Sequence, residues 1–178
     1  MPQMTTREAL FVHELQDVYY AEKVVLKALP ELAREATDRD LAKAFKTHLE
    51  ETRGHVQNIE QVFRKLRKPM QTQTCPGIDG IKEEHDRFMS RQQPTEVIRD
   101  IFLTGAAART EHYEIAAYTG LVGTAKALGE RECAALLEEN LREEKETLKK
   151  IETISKRLVK SSGKKPARKA PARKKAMV

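Results

Sequence analysis

An acid in the middle of an apolar helix stripe constrains this chain more than any other feature. Val97, Ile101, Thr104, Ala108, Glu111, Ile115, Tyr118 and Val122 recur at steps of three and four, which traces one face of a helix. Glu111 stands in that stripe where a core helix carries Leu or Ile, and Glu114 follows one turn on along the same side. An unpaired carboxylate facing a core is costly to desolvate, so the fold must bring it a compensating charge.

Three other segments repeat the pattern. The first helix opens at Thr5 or Thr6, with Glu8 completing a capping box, and its inner stripe runs through Phe11, Leu15, Val18, Glu22, Leu29 and Ala33. Pro30 bends this helix without ending it, because the apolar pattern continues past it. After a very short turn, Thr37 and Asp40 cap a second helix that reaches about Leu66 and places His48, Glu51 and His55 on one side. So short a turn demands an antiparallel hairpin. A third helix starts at Pro94 and Thr95, carries Glu111 and stops at Gly129. The fourth, from about Glu130, has Cys133, Leu137, Asn140 or Leu141, Glu144, Leu148, Ile151, Ile154 or Ser155, and Leu158 inward. Between the two hairpins, residues 67–95 form a crossover long enough to run from one end of a bundle to the other, with a short helix in GIKEEHDRFMSR.

The bulk numbers agree with such a bundle. The chain has 178 residues, of which 39% are hydrophobic and 34% charged, with no Trp, 8 Gly and 7 Pro, which suits one all-α domain of long helices with solvated outer faces. The net charge of +6 is concentrated at one end: residues 160–178 hold eight Lys and Arg and no acid. Removing these eight from the 33 Lys and Arg leaves 25 against 27 Asp and Glu, so the body is weakly acidic. The expected organisation is a bundle over residues 1–160 and a disordered basic tail of Lys, Arg, Pro and Ala over 161–178. Cys75 and Cys133 offer neither a disulfide framework nor a metal spacing. With no apolar run able to span a membrane and no signal-peptide core, a cytoplasmic protein is expected.

Counting from the turns places the acids. Glu22 lies 15 residues before residue 37 and Glu51 14 after it, while Glu111 lies 18 before Gly129 and Glu144 15 after it. At a rise of about 1.5 Å per residue, each pair matches to within roughly 5 Å. No Lys or Arg falls in the stripes, whereas two divalent cations would neutralise the acids. One Glu from each of two helices, with a Glu and a nearby His from the others, is the expected pattern of a dinuclear carboxylate site in a four-helix bundle. Oxygen-rich ligation with some imidazole suits iron or manganese.

The segments LQDVYYAEKVVLKALPELA, AFKTHLEETRGHVQNIEQVF, TCPGIDGI and TEHYEIAAY, in this order, resemble the YciE/YciF-type family of ferritin-like proteins over roughly residues 7–158. The resemblance implies an all-α, ferritin-like four-helix bundle of two antiparallel hairpins, a di-iron centre, a link to stress responses and a homodimer. By position it implies Glu22, Glu51, Glu111, Glu114 and Glu144 as carboxylate ligands, the Glu111 and Glu114 pair being similar to the rubrerythrin arrangement. The chain departs from ferritins in carrying Gly54 three residues after Glu51 and Thr147 three after Glu144, so His48 or His55 is expected to supply the only imidazole.

Other polar residues read as supporting ones. Glu50 and Glu143 are expected in solvent or behind the ligands, and His112 packing or pointing outward. Tyr19 and Tyr118 fill the core with one polar end satisfied, and Asp17 bonds locally. The functional expectation is a cofactor of two iron ions, with manganese as the alternative, and ferroxidase or peroxidase-like oxidation of Fe(II) by oxygen or hydrogen peroxide. The competing expectation is a non-enzymatic stress protein: a dimeric platform whose tail, residues 160–178, binds DNA through its phosphates.

Overall fold

A computed structural model describes residues 4–162, which form five helices: α1 (Arg7–Glu35), α2 (Arg39–Lys65), α3 (Pro76–Arg91), α4 (Glu96–Ala127) and α5 (Arg131–Ser162). Helices α1 and α2 form one antiparallel hairpin and α4 and α5 the other. The hairpins meet through α1 against α4 and α2 against α5, and α3 lies across α1 and α4. The expected four-helix bundle with a helix-bearing crossover is thus the architecture found. The basic tail lies outside the described residues from 163 onward, and Lys160, Ser161 and Ser162 still belong to α5. Among the described residues, no helix is long and apolar enough to cross a membrane.

The helix ends follow local chemistry, with two corrections. Thr6 caps α1 by accepting from the Ala9 amide at 3.1 Å, so the residue three along is Ala9 and the expected box with Glu8 does not form. Helix α1 continues through Pro30 to Glu35. Asp38, not Thr37, caps α2, accepting from the Asp40 and Leu41 amides at 3.1 Å each. Thr37 turns instead to the buried Asp100 of α4, whose carboxylate accepts its amide at 2.9 Å, its hydroxyl at 2.6 Å and the Asp38 amide at 2.9 Å. Gly129 ends α4 with φ 79, a left-handed conformation that glycine adopts without a Cβ penalty.

These contacts orient the bundle. Asp100 near the start of α4 and Arg157 near the end of α5 both meet the α1–α2 turn, the latter through Asp38 at 2.8 Å. At the other end, Lys65 of α2 pairs with Glu132 of α5. The crossover therefore travels the length of the bundle, as its length requires. It is pinned where Cys75 and Asp17 both meet the Tyr113 hydroxyl, at 2.7 and 2.8 Å. Asp17 is thus a long-range partner rather than a local one. Gly77 permits this packing, since a Cβ there would sit 2.6 Å from the Tyr113 ring.

The interior is divided. Phe11, Leu15, Phe63, Tyr118, Leu121 and Leu137 belong to one apolar cluster, and Val25, Leu41, Phe45, Leu103, Ile151 and Ile154 to a second. Helix α4 is buried more broadly than its expected stripe, because it packs on α1, α3 and α5 at once. Val97 is exposed and Ile101, Ala108 and Ile115 are only half-buried, whereas Asp100, Leu103, Ala107, Glu114 and Leu121 are covered. Where the two clusters adjoin, the buried residues are polar: Glu22 on α1, His48, Thr52 and His55 on α2, Glu111 and Glu114 on α4, and Asn140, Glu144 and Thr147 on α5.

Candidate metal centre

Each of the four bundle helices breaks its apolar pattern in that middle layer, and the breaks converge. Glu22 comes from α1, His48 and His55 from α2, Glu111 and Glu114 from α4, and Glu144 from α5. All six residues are buried, at 2% exposure or less. On α2 the two histidines are seven residues apart, two helical turns, so both rings face inward, 6.2 Å between centroids.

Their polar atoms fall into two groups within 4.8 Å: His48 with Glu111, Glu114 and Glu144, and His55 with Glu22 and Glu144. Glu144 belongs to both. One of its oxygens lies 2.9 Å from His55 Nδ1 and the other 3.7 Å from His48 Nε2. Glu22 is 3.3 Å from His55 Nδ1 and Glu111 is 3.4 Å from His48 Nε2.

These are ion-pair distances, yet the inner ring nitrogens are misaligned for hydrogen bonds. Eight buried side-chain N and O atoms among the described residues have no hydrogen-bond partner, and all eight belong to these six residues. Buried polar groups are nearly always satisfied, so a set of orphans confined to one cluster marks donors aimed at something other than protein. Their chemistry, carboxylate oxygen and imidazole nitrogen, is that of ligands for first-row divalent metals.

The outer nitrogens of both histidines are held by carboxylates. His55 Nε2 meets Glu143 at 3.0 Å, and His48 Nδ1 meets Glu51 at 3.3 Å. Such a carboxylate fixes the ring and leaves the other nitrogen to face inward. Glu51 is therefore not brought into either group. It also accepts from Thr147 at 3.0 Å and faces Lys150 at 3.4 Å. The level count put it beside Glu22, but His48, one turn earlier, takes the inward position. Both histidines enter the cluster, where the sequence reading allowed for one. Glu143 stands behind His55, as expected, and Glu50 pairs with Arg53 at the surface. His112 is exposed.

A buried polar chain supports the cluster from one side. The Tyr118 hydroxyl donates to Glu22 and accepts from Asn140 Nδ2 at 3.0 Å, and the Asn140 carbonyl accepts from Asn58 at 2.8 Å. Tyr19 likewise satisfies its hydroxyl, on Glu60 at 2.9 Å. Asn140, one of two residues expected inward at that turn, is the one that turns in, whereas sequence reasoning missed Asn58 because Asn is not distinctive in a helix. Only the eight-residue spacing of Asn58 to Leu66 hints at an inward face.

The electrostatics without metal are those of crowded acids. Burial, then Glu144, Glu114 and Glu22, push the Glu111 carboxyl well above the usual carboxylate range. Burial, then Glu22 and Glu144, do the same to Glu114. Burial opposes the charge on His55, but Glu22 and Glu144 overcome it and raise the ring to about 12. Glu144 moves the other way: burial would raise it, yet Glu111, His55 and His48 bring it down to about 2. Glu51 is also held near 2, first by the His48 hydrogen bond and then by Thr147 and Lys150 against burial.

Comparison with known proteins gives a consistent picture. The family model described as "Domain of unknown function (DUF892)" matches residues 6–163. Protein YciF of Escherichia coli K12 is 41% identical over 145 residues, covering 81% of this chain and 87% of that protein. The crystal structure of the E. coli stress protein YciF superposes with a TM-score of 0.84 at 38% identity, covering 88% of this chain and 99% of that one. YcfI from Rhodopseudomonas palustris gives 0.82 at 38% identity, covering 85% and 96%.

Proposed function

The chain belongs to the DUF892 family, and from its buried acid–histidine cluster we propose that it is a dinuclear-metal stress protein that binds iron and oxidises Fe(II) with oxygen or peroxide. The observation that carries this reading is the confinement of eight orphaned buried donors to Glu22, His48, His55, Glu111, Glu114 and Glu144. Four of these residues are carboxylates, so two divalent ions would bring the cluster to neutrality with both imidazoles uncharged. The link to stress comes from the E. coli relative, which is described as a stress protein.

His48, Glu111 and Glu114 would hold one ion, Glu22 and His55 the other, and Glu144 would bridge, since its two oxygens address the two histidines. Two ferrous ions held there would supply two electrons, which with two protons take dioxygen to hydrogen peroxide or hydrogen peroxide to two waters. The protein's own contribution is placement. Glu51 and Glu143 fix the imidazole rings, and Tyr118, anchored by Asn140, fixes Glu22 and keeps a hydroxyl proton on it. The apolar clusters on either side exclude bulk water. Manganese satisfies the same donors, and metal selection is left to supply and redox chemistry.

Metal analysis of protein purified without chelator, with anaerobic Fe(II) titration of the stripped form, tests the reading. Two ions per chain are expected in wild type, and Glu144→Gln should impair both sites together. Wild-type protein that takes up no Fe(II), or Glu144→Gln that keeps two ions, would refute it.

A further inference from the structure

A cavity of about 70 Å³ opens beside α3 and ends at His48 and Glu111. From its lining we infer that this shaft is the path by which dioxygen, rather than peroxide or metal ions, reaches the cluster. The inference rests on the oxidase reading above and selects between the two oxidants it leaves open.

Size comes first. Pockets for organic ligands run to roughly 300–1,000 Å³, and an apolar cavity of about 150 Å³ accommodates benzene or xenon. A shaft of about 70 Å³ has room for a molecule of two or three atoms and not for an organic substrate.

Chemistry then decides which small molecule. The walls between mouth and cluster are Val25 and Leu29 of α1, Phe45 of α2, Ile78 of α3 and Ala107 of α4. Thr110 also lines the shaft, but its hydroxyl donates to the Ala106 carbonyl at 3.3 Å. At the mouth, Lys82 pairs with Asp86 and His85 meets Glu35 at 2.9 Å, and Glu31, the other charge there, lies on the exposed rim in water. A ferrous ion would shed its hydration in this passage without replacement, and hydrogen peroxide would lose its hydrogen bonds. Dioxygen pays neither cost. The other exposed edge of the cluster, between α2 and α5, is polar. Glu51 and Glu143 reach solvent there, with side chains 21% and 27% exposed.

Ala28, half-buried on α1, lines the shaft near its mouth and is not part of the cluster, so Ala28→Phe narrows the passage without touching a metal-binding residue. Ala106→Leu, from the α4 wall, is the second variant should the first fail to fold. The test has two measurements on full-length protein. Crystals of metal-free protein under xenon pressure should show xenon between Val25 and Ala107 in wild type and lose it in Ala28→Phe. Iron-loaded Ala28→Phe should hold as much metal as wild type, oxidise it several-fold more slowly at limiting dioxygen, and respond to hydrogen peroxide at the wild-type rate. Absence of xenon, an unchanged oxygen dependence, or equal slowing with both oxidants would overturn the proposal. Failure to bind iron at all would instead count against the oxidase reading, and the xenon result would stand apart from it.

Discussion

Replacing Glu114 by Gln should stabilise the metal-free protein, and by an amount that depends on pH in a defined way. Glu114 is fully buried, and neither of its oxygens has a partner. Burial, Glu22 and Glu144 raise its folded pKa well above 4.5, so between the ordinary value and the raised one the metal-free fold keeps it protonated while the unfolded chain ionises it. The contribution of Glu114 to wild-type stability is therefore fullest below about pH 4.5 and is lost as pH rises toward the raised value. Gln has nearly the same shape as protonated Glu and never ionises, so it escapes this loss. The difference grows by about 1.36 kcal/mol for each pH unit between 4.5 and the raised value. Urea unfolding of both metal-free proteins, followed by far-UV circular dichroism, measures it at each pH. The advantage of Gln should widen steadily from pH 5 to pH 7.5. A gap that stays constant, or a variant less stable at pH 7.5, would show that Glu114 is ionised and compensated in the metal-free fold.

Metal-free wild type should gain stability in thermal denaturation as pH is lowered from 8 to about 5, because Glu111, Glu114 and the imidazole of His55, raised to about 12, all bind protons more tightly when folded. Below about pH 4.5 the trend should reverse as Glu51 and Glu144, held near 2, are protonated, whereas the metal-loaded form should lose stability over the whole descent because protons compete with metal. Asp100→Ala removes three hydrogen bonds to Thr37 and Asp38 and should cost about 2–4 kcal/mol in urea unfolding, with metal content unchanged. Glu143→Gln weakens the anchor on the outer nitrogen of His55 and should lower metal affinity by about 10–100-fold in competition titrations while leaving the fold intact.

The fold was legible in the sequence because long helices joined by turns of two or three residues leave few alternatives, and a crossover of nearly thirty residues has to run the length of a bundle. The site was legible for a different reason: Glu22, Glu111 and Glu144 interrupt apolar stripes, and an interruption of that kind has a physical cost that something must offset. Counting residues from the turns measures height along the bundle and says nothing about rotation around each helix axis. That is why it placed Glu51 level with Glu22 while the inward position on α2 went to His48, three residues earlier. The same gap hid Asp100. Its stripe looked apolar through Val97 and Ile101, and only packing of α4 on three neighbours turns Asp100 inward, to the α1–α2 turn. Rotation is set by the apolar residues of all four helices together, which no single stripe reports. The cluster's position between two separate apolar clusters gives the layout its sense. Each cluster buries apolar surface at its end of the bundle, so the middle layer can carry acids that oppose folding on their own and that a bound metal would match in charge.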